Sequence, residues 1–218
     1  PILSCFFILS GFGIYSILNN YESSSFYELI VLFFSIVIYS ILIYFTLNNK
    51  SLFNSKKIKT WPLIGIISSF LLIIYSSISH DYSDYKFLFL FYLILIWGVD
   101  TIGYIIGVRF GKNKLFKSLS PKKSIEGAIG SLVFSTLYSI LISFYLNISV
   151  LFCLILCISI CILAILGDLV QSKIKRELKI KDFGKWLPGH GGLYDRMDSL
   201  IFTFPYLYLI VKISLYVS

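Results

Sequence analysis

Charged residues, histidine and proline are scarce in this chain of 218 residues. Charged residues make up 14% of it, and it contains only 11 acidic residues, two histidines and five prolines. No HExxH motif is present, which excludes the zinc peptidases that use it, and no GxxxxGK(S/T) motif is present, which excludes a P-loop nucleotide site. In contrast, 57% of the residues are hydrophobic and the mean hydropathy is +0.86. This composition is typical of membrane proteins.

Seven mostly apolar runs have about the length that a helix needs to cross roughly 30 Å of hydrocarbon. Because lipid offers no hydrogen-bonding partners, the backbone N–H and C=O groups of each run must bond to one another, as they do in a helix. We therefore predict an all-α fold, a polytopic integral membrane bundle of about seven transmembrane helices. The predicted spans are 2–18, 26–47, 61–79, 87–108, 125–146, 148–167 and 200–217. No charged segment precedes the first run, which is unlike a complete signal peptide, so we expect the chain to be truncated at its N-terminus.

Basic residues are confined to every second connection between these runs. Of the 19 lysines and arginines, 17 lie in the segments 48–60, 109–124 and 168–198. Positively charged loops stay on the cytoplasmic side of a membrane. All three basic loops are therefore predicted to be cytoplasmic, and their regular alternation supports the number of spans.

Three cysteines lie on one face of the sixth predicted span. Cys153, Cys157 and Cys161 follow an i, i+4, i+8 spacing, which raises the alternative of a metal site. No ionisable residue accompanies them inside the membrane, and a free cysteine behaves as a small hydrophobic residue. We interpret these cysteines as packing residues.

Asp100 is an unusual residue because it lies inside the fourth predicted span, about 12 Å from its end at 1.5 Å per residue. A carboxylate at that depth is costly and is by default a functional candidate. The alternative is a structural role, in which Asp100 bonds a Tyr, Ser or Thr of a neighbouring helix. Gly103 and Gly107 form a small-xxx-small pair, which favours close helix packing.

The basic segment 109–124 allows two interpretations. Ser120-Pro121 predicts a turn, Ser124 is a candidate N-cap for the next span, and Glu126 falls in the first turn of that span. The segment then either obeys topology and touches anionic lipid head groups, or it binds phosphate. The second interpretation follows from the two lysines beside a helix N-terminus, Lys122 and Lys123.

The polar segment 172–198 is the largest break in the apolar pattern. Asp195 and Asp198 have an i, i+3 spacing, so on a helix they share a face and can bind a cation. Glycines on both sides of His190 allow the backbone to approach an anion closely. With Asp168, which ends the sixth run, these carboxylates suit a divalent metal that carries a polyphosphate. Ligands that are all oxygen favour Mg²⁺ over zinc.

The same segment resembles the C-terminal signature of the phosphatidate cytidylyltransferase (CDP-diacylglycerol synthase) family. The matching residues are Ser172, Ile174, Lys175-Arg176, Lys181-Asp182, Gly184, Pro188, His190-Gly191-Gly192 and Asp195-Arg196-Met197-Asp198. A second stretch is similar to the family through Asp100-Thr101, Tyr104, Gly107, Arg109, Gly111-Lys112, Leu115, Ser120-Pro121-Lys122-Lys123-Ser124 and Glu126-Gly127. The resemblance covers roughly residues 97–205. One departure is Gln171, where the family usually has Glu, so a metal or base role is not carried over to that position.

The resemblance implies a reaction in which CTP and phosphatidate give CDP-diacylglycerol and pyrophosphate, and it implies residue roles. Metal ligands for Mg²⁺, with room for a second cation, are Asp168, Asp195 and Asp198. Phosphate-binding catalytic residues are Lys175, Arg176, Lys181 and Arg196, and the nucleotide site is formed by His190, Gly191 and Gly192. The substrate-binding set also includes Ser120, Lys122, Lys123 and Asp100, with a structural role as the alternative for Asp100.

We expect two regions, 1–86 without motifs and a catalytic region 87–218 with cytoplasmic loops 109–124 and 168–198. The expected partners are CTP, phosphatidate and membrane lipids, with no nucleic acid, and a homodimer is left open. The expected location is the bacterial inner membrane, with the active site facing the cytoplasm. One alternative is a CTP-dependent lipid kinase or a cytidylyltransferase with another lipid acceptor. A more remote alternative is a transporter that uses Asp100 as a coupling site.

Overall fold

The computed structural model describes residues 24–48, 51, 83–116, 119–180 and 198–217. Within these ranges the backbone forms five α-helices and one two-stranded antiparallel sheet. In chain order the elements are α1 (Ser24–Leu47), α2 (Ser83–Phe110), β1 (Lys114–Phe116), β2 (Ser120–Ser124), α3 (Ile125–Leu146), α4 (Val150–Glu177) and α5 (Asp198–Val217). Helix is the dominant structure, as predicted, and the small sheet is an addition that the sequence pattern did not predict.

Three of the described helices are long and apolar enough to cross a membrane, namely α2 from Phe89 onward, α3 and α4. The other two contribute shorter apolar stretches, Val31–Leu47 in α1 and Ser199–Ile210 in α5. The predicted spans 2–18 and 61–79 lie outside the described residues. The total of seven spans therefore stays a prediction.

The chain divides into two compact units, one formed by Pro1–Tyr85 with Phe204–Ser218 and the other by Lys86–Thr203. In the first unit, the hydroxyls of Ser35 and Thr46 are buried. Each hydroxyl donates a hydrogen bond to the carbonyl one turn earlier in α1, so the buried hydroxyl has a partner without water. The predicted division of the chain by function, between residues 86 and 87, stays a prediction.

Helix α4 continues ten residues beyond the predicted end of the sixth apolar run. Its 28 residues make it about 42 Å long, which exceeds the roughly 30 Å of hydrocarbon in a bilayer. Residues 168–177, predicted as the start of a loop, are therefore helical. Hydropathy reports which residues prefer lipid, and it does not report where helical hydrogen bonding stops. Lys175 and Arg176 in the last turn favour this extension because cations stabilise helix C-termini.

The connection between α2 and α3 is a short β-hairpin. Lys114 pairs with Ser124 and Phe116 pairs with Ser120, with an irregularity between the two pairs. The turn predicted at Ser120-Pro121 is wrong, because both residues belong to β2. Proline is tolerated there because each strand of a two-stranded sheet has an unpaired edge that needs no N–H donor.

The start of α3 is capped as predicted, and its cap also holds the base of the hairpin. Ser124 is the N-cap, and its Oγ accepts a hydrogen bond of 3.2 Å from the Gly127 backbone N–H. Glu126 in the first turn accepts hydrogen bonds from the backbone N–H (3.1 Å) and Nδ2 (3.0 Å) of Asn113. The carbonyl of Asn113 in turn accepts from the N–H of Ile125 at 3.0 Å. The strands are thereby tied to the helix that follows them.

Close packing of α2 on α3 explains the glycines of both helices. A Cβ on Gly103 would lie 2.5 Å from Ser131 Oγ, and one on Gly127 would lie 2.5 Å from the carbonyl oxygen of Gly103. A Cβ on Gly107 would lie 3.0 Å from Ser124 Oγ. The predicted packing role of Gly103 and Gly107 is confirmed.

The predicted packing role of the three cysteines is also confirmed. Cys153, Cys157 and Cys161 are buried free thiols on α4. Cys161 is hydrogen bonded with Ser135, which is buried on α3. Within the described ranges there is no group of three or more His, Cys, Asp or Glu side chains that could hold a metal ion.

Candidate active site

A cavity of about 710 Å³ opens within the second unit, and five elements contribute to its walls. Helices α2, α3 and α4, the hairpin and the first turn of α5 all line it. The lining residues are Val99, Asp100, Gly103, Tyr104, Gly107, Val108, Lys114, Leu115, Ser120, Lys122, Lys123, Ala128, Ser131, Ile165, Asp168 and Ser199. The glycines of α2 have no side chains to fill the cavity, so they contribute to its width as well as to helix packing.

Charged groups dominate the polar part of this lining. It contains two carboxylates, three ammonium groups and three serine hydroxyls. These are Asp100 and Asp168; Lys114, Lys122 and Lys123; and Ser120, Ser131 and Ser199. The lining therefore carries one more positive than negative formal charge. Such a balance suits an anionic ligand, and the carboxylates leave room for a cation bound together with it.

Asp100 makes a contact between two helices and also lines the cavity. Its carboxylate is hydrogen bonded with Ser199 at the start of α5, which is the kind of contact that the structural alternative for Asp100 involves. Its side chain is nevertheless exposed, because it lines the cavity. Asp168 and Lys123 both act electrostatically on Asp100. The carboxylate therefore belongs to the charged wall as well as to the contact between α2 and α5.

The hairpin and α4 meet through an ion pair. Lys123 Nζ lies 2.5 Å from Asp168 Oδ2, with 24% and 34% of the two side chains exposed. The same Nζ donates to the carbonyl of Ile165, one turn earlier in α4, at 3.3 Å. A partly exposed ion pair contributes at most about 1 kcal/mol. A phosphate or a cation that enters the cavity can therefore separate the pair at little cost.

The described donors fit a hard divalent cation. Asp100, Asp168 and Ser199 contribute two carboxylates and a hydroxyl to the cavity lining, with no soft ligand among the lining residues. Mg²⁺ commonly uses one or two carboxylates and completes its shell with water and substrate phosphates. Asp198 is the first residue of α5 and directly precedes Ser199. The predicted ligand Asp198 therefore begins the helix whose first turn lines the cavity.

Some predicted site residues are not part of the described cavity. Lys175 and Arg176 lie in the last turn of α4, about two turns beyond Asp168, and do not belong to the lining. For Asp198 only the backbone is described. The remaining predicted residues, which lie outside the described ranges, are Lys181, His190, Gly191, Gly192, Asp195 and Arg196.

Gln171, which departs from the family pattern, lies away from the cavity. It is 3% exposed on α4 and is not among the lining residues. An uncharged amide is cheaper to bury than a carboxylate. The substitution therefore leaves the described cavity wall with both of its carboxylates.

The sequence interpretation missed two serines of the cavity wall. Ser131 lies in α3, where its hydroxyl donates to the carbonyl of Val99 at 2.7 Å, and Ser199 bonds Asp100. A usable signal existed for Ser199, because it directly follows the predicted metal ligand Asp198. Serine is common in the apolar runs of this chain, so no sequence signal distinguished Ser131 from the others.

Comparison with known proteins supports the resemblance seen in the motifs. The model of the cytidylyltransferase family matches residues 4–214. A phosphatidate cytidylyltransferase of Bacillus subtilis is 33% identical over 133 residues, which is 60% of this chain and 49% of that protein. One of Haemophilus influenzae is 33% identical over 150 residues, covering 66% of this chain and 52% of that protein. One of Mycobacterium bovis is 42% identical over 110 residues, covering 50% of this chain and 36% of that protein.

The aligned regions account for about half or less of each of these relatives. The chain therefore spans only part of the length of these relatives. The family model, in contrast, extends over nearly all of the present sequence. The chain thus belongs to the cytidylyltransferase family.

Proposed function

We propose that this protein transfers the cytidylyl group of CTP to phosphatidate, giving CDP-diacylglycerol and pyrophosphate. The observation that carries the proposal is the cavity among apolar helices that Asp100, Asp168 and Lys123 line together. Both proposed substrates are strongly anionic and one of them is a lipid. A charged cavity within helices that are able to cross a membrane is suited to bring them together. The names of the relatives support the same reaction.

The chemistry needs charge neutralisation more than it needs a base. An oxygen of the phosphatidate phosphate forms a new bond to the α-phosphorus of CTP, the bond between the α-phosphorus and its bridging oxygen to the β-phosphate breaks, and pyrophosphate leaves. The attacking phosphate is already ionised at neutral pH, so no side chain has to remove a proton. Positioning and electrostatic stabilisation then supply most of the rate enhancement. This requirement matches a wall with three lysines.

We assign the described lysines to phosphate binding. Lys122 and Lys123 lie on β2 directly before the N-terminus of α3, and Lys114 lies on the partner strand. In the structure, Lys123 is paired with Asp168. When a substrate phosphate enters, Lys123 exchanges this partner for the phosphate, and Asp168 becomes free to help bind a cation. Ser120 is a further hydrogen-bond donor on the same strand.

The predicted residues outside the described cavity keep the roles proposed from the family motifs. Lys175, Arg176, Lys181 and Arg196 bind phosphates in this proposal, and His190, Gly191 and Gly192 line the nucleotide site. Asp168, Asp195 and Asp198 would hold Mg²⁺, and the number of cations is left open. When bound, Mg²⁺ supplies positive charge that offsets the triphosphate and the leaving pyrophosphate.

The proposed location is the inner membrane of a bacterium, with the cavity open to the cytoplasm, where CTP is available. The lysines of the hairpin support this orientation, because basic loops stay on the cytoplasmic side. The expected surroundings are membrane lipids, and a homodimer stays one possible assembly. No nucleic-acid partner is proposed.

The proposal is tested by incubating membranes that contain the protein with radiolabelled CTP and phosphatidate. We expect CDP-diacylglycerol to form in a Mg²⁺-dependent way. Asp168→Asn, Asp195→Asn and Asp198→Asn should each lower the rate at least about a hundredfold, since a cation site loses a charged ligand. The protein should stay in the membrane in each case.

Glu177→Gln is the matched control for Asp168→Asn. It removes an acidic charge from the same helix at a position that does not line the cavity. Normal rates for all three aspartate variants would overturn the metal assignment. Product formation from a polyprenyl alcohol but not from phosphatidate would replace the proposal with the lipid-kinase alternative.

A further inference from the structure

A buried tyrosine joins α2 to the first turn of α5 below the cavity. Tyr92 lies on α2, eight residues before Asp100, and is 3% exposed. Its hydroxyl donates to the carbonyl of Leu200 at 2.8 Å and lies 2.6 Å from Thr203 Oγ1. The hydroxyl of a buried tyrosine needs such partners, because a polar group left unpaired in an apolar region is costly.

The contact continues from Tyr92 up to the cavity wall. Thr203 is fully buried and donates to the carbonyl of Ser199 at 2.8 Å. The side chain of Ser199 is hydrogen bonded with Asp100. The first turn of α5 is therefore attached to two residues of α2 that are about 12 Å apart along the axis of α2, at 1.5 Å per residue. One residue is Tyr92 and the other is Asp100.

The first turn of α5 is held only weakly by the rest of its own helix. Pro205 lies inside α5 and has no N–H for the carbonyl four residues earlier, which weakens the link between the first turn and the rest of the helix. Hydrogen bonds from another helix then determine where the first turn lies.

We propose that Tyr92 and Thr203 are positioning residues for the active site. They do not line the cavity, but they hold the backbone of Ser199 and Leu200 in place. Asp198 precedes Ser199, so the same contacts set where the proposed cation ligand at the start of α5 lies. This role rests on the proposed function, because it concerns the reaction carried out at that site.

The test compares variants that remove a hydroxyl while keeping the size of the side chain, namely Tyr92→Phe and Thr203→Val. In the purified protein we expect amide hydrogen exchange of Phe202 and Thr203, whose N–H groups bond to carbonyls of the first turn of α5, to become at least about fivefold faster, because a hydrogen bond that fixes that turn is lost. The kcat for CDP-diacylglycerol formation should fall about tenfold through misplacement, with the KM for CTP changed less than about twofold.

Two further variants separate positioning from general stability. Thr203→Ser keeps the hydroxyl and should retain wild-type kcat. The double variant Tyr92→Phe/Thr203→Val should lose no more than the stronger single variant, since both act through one network. If either Tyr92→Phe or Thr203→Val fails to fold, the other single variant still tests the positioning role.

Tyr138→Phe is the matched control. Its hydroxyl also joins two helices, since it donates to the carbonyl of Phe91 at 2.8 Å, but it does not line the cavity or contact α5 through that bond. Equal exchange and equal kcat in Tyr92→Phe and Tyr138→Phe would overturn the proposal. Faster exchange with an unchanged kcat would overturn it as well. A wild-type protein that makes no CDP-diacylglycerol would overturn the proposed function, and the exchange comparison distinguishes this case because it does not use the reaction.

Discussion

At the scale of single residues, Asp100 makes a contact between helices and also contributes a charge to the cavity lining. Its bond with Ser199 supports the contact between α2 and α5, while its charge faces the cavity and the pair of Lys123 and Asp168. A carboxylate inside an apolar helix is expensive. An amide would make a similar hydrogen bond at lower cost, so the charge itself is the feature that calls for a functional explanation.

The two roles of Asp100 are separable by substitution. Asp100→Asn keeps a hydrogen-bonding group for Ser199 and removes the charge, so we expect activity to fall at least about tenfold with little change in thermal stability. Asp100→Ala also removes the hydrogen bond and should cost about 1–3 kcal/mol of stability in addition. Activity assays and thermal unfolding in the same membrane mimetic measure the difference. Full activity of Asp100→Asn would show that the role is structural alone.

At the scale of elements, the hairpin between α2 and α3 gives the basic residues of this connection fixed positions. The N-cap Ser124 and the contact of Glu126 with Asn113 tie the strands to α3. This attachment places Lys122 and Lys123 beside the first turn of that helix, where N–H groups favour an anion. The charge of the segment follows from topology, whereas its use at the cavity depends on this attachment.

The cap of α3 predicts a measurable difference between two serines. Ser124→Ala removes the side-chain acceptor for Gly127 and should cost about 1 kcal/mol. It should also raise the KM for phosphatidate several-fold, since the lysines of β2 lose their fixed position. Ser149→Ala is the matched control, because Ser149 occupies the N-cap position of α4 without a side-chain cap hydrogen bond. Equal effects of the two substitutions on stability and KM would contradict the role of the cap.

At the scale of the whole molecule, α3 separates a basic connection from a connection without charged residues. The hairpin with its lysines precedes α3, and residues 147–149 follow it. The 22 residues of α3 span about 33 Å, which is enough to place the two connections on opposite sides of a bilayer. The basic connection is predicted to be the one on the cytoplasmic side.

Labelling tests this orientation. Lys122→Cys should react with a membrane-impermeant maleimide in inside-out vesicles and not in intact cells, and Ser149→Cys should show the reverse pattern. Both positions are exposed, whereas Cys153, Cys157 and Cys161 are buried and should react slowly. Labelling of both introduced cysteines from the same side would contradict the predicted topology. The variant without an introduced cysteine measures the background.

Local features of the site were predictable because they depend on neighbours in the chain. Ser124 was identified as an N-cap from its place before an apolar run, and Gly103 and Gly107 from their spacing. The turn at Ser120-Pro121 was predicted wrongly, because strand pairing with β1 overrides the local preference of proline for turns. The end of α4 was placed too early, because a helix can continue in water after its apolar residues end.

The sequence by itself determined the membrane class, the starts of the described helices to within a few residues, and the types of charge available for chemistry. These properties follow from apolar length, capping residues and composition, which act over a few turns. Only the tertiary structure decided that Asp100, Lys123 and Asp168 share one cavity, that Ser199 joins them, and that Tyr92 supports α5. Those contacts arise between helices that are distant in the chain, and side-chain packing, which no local pattern encodes, brings them together.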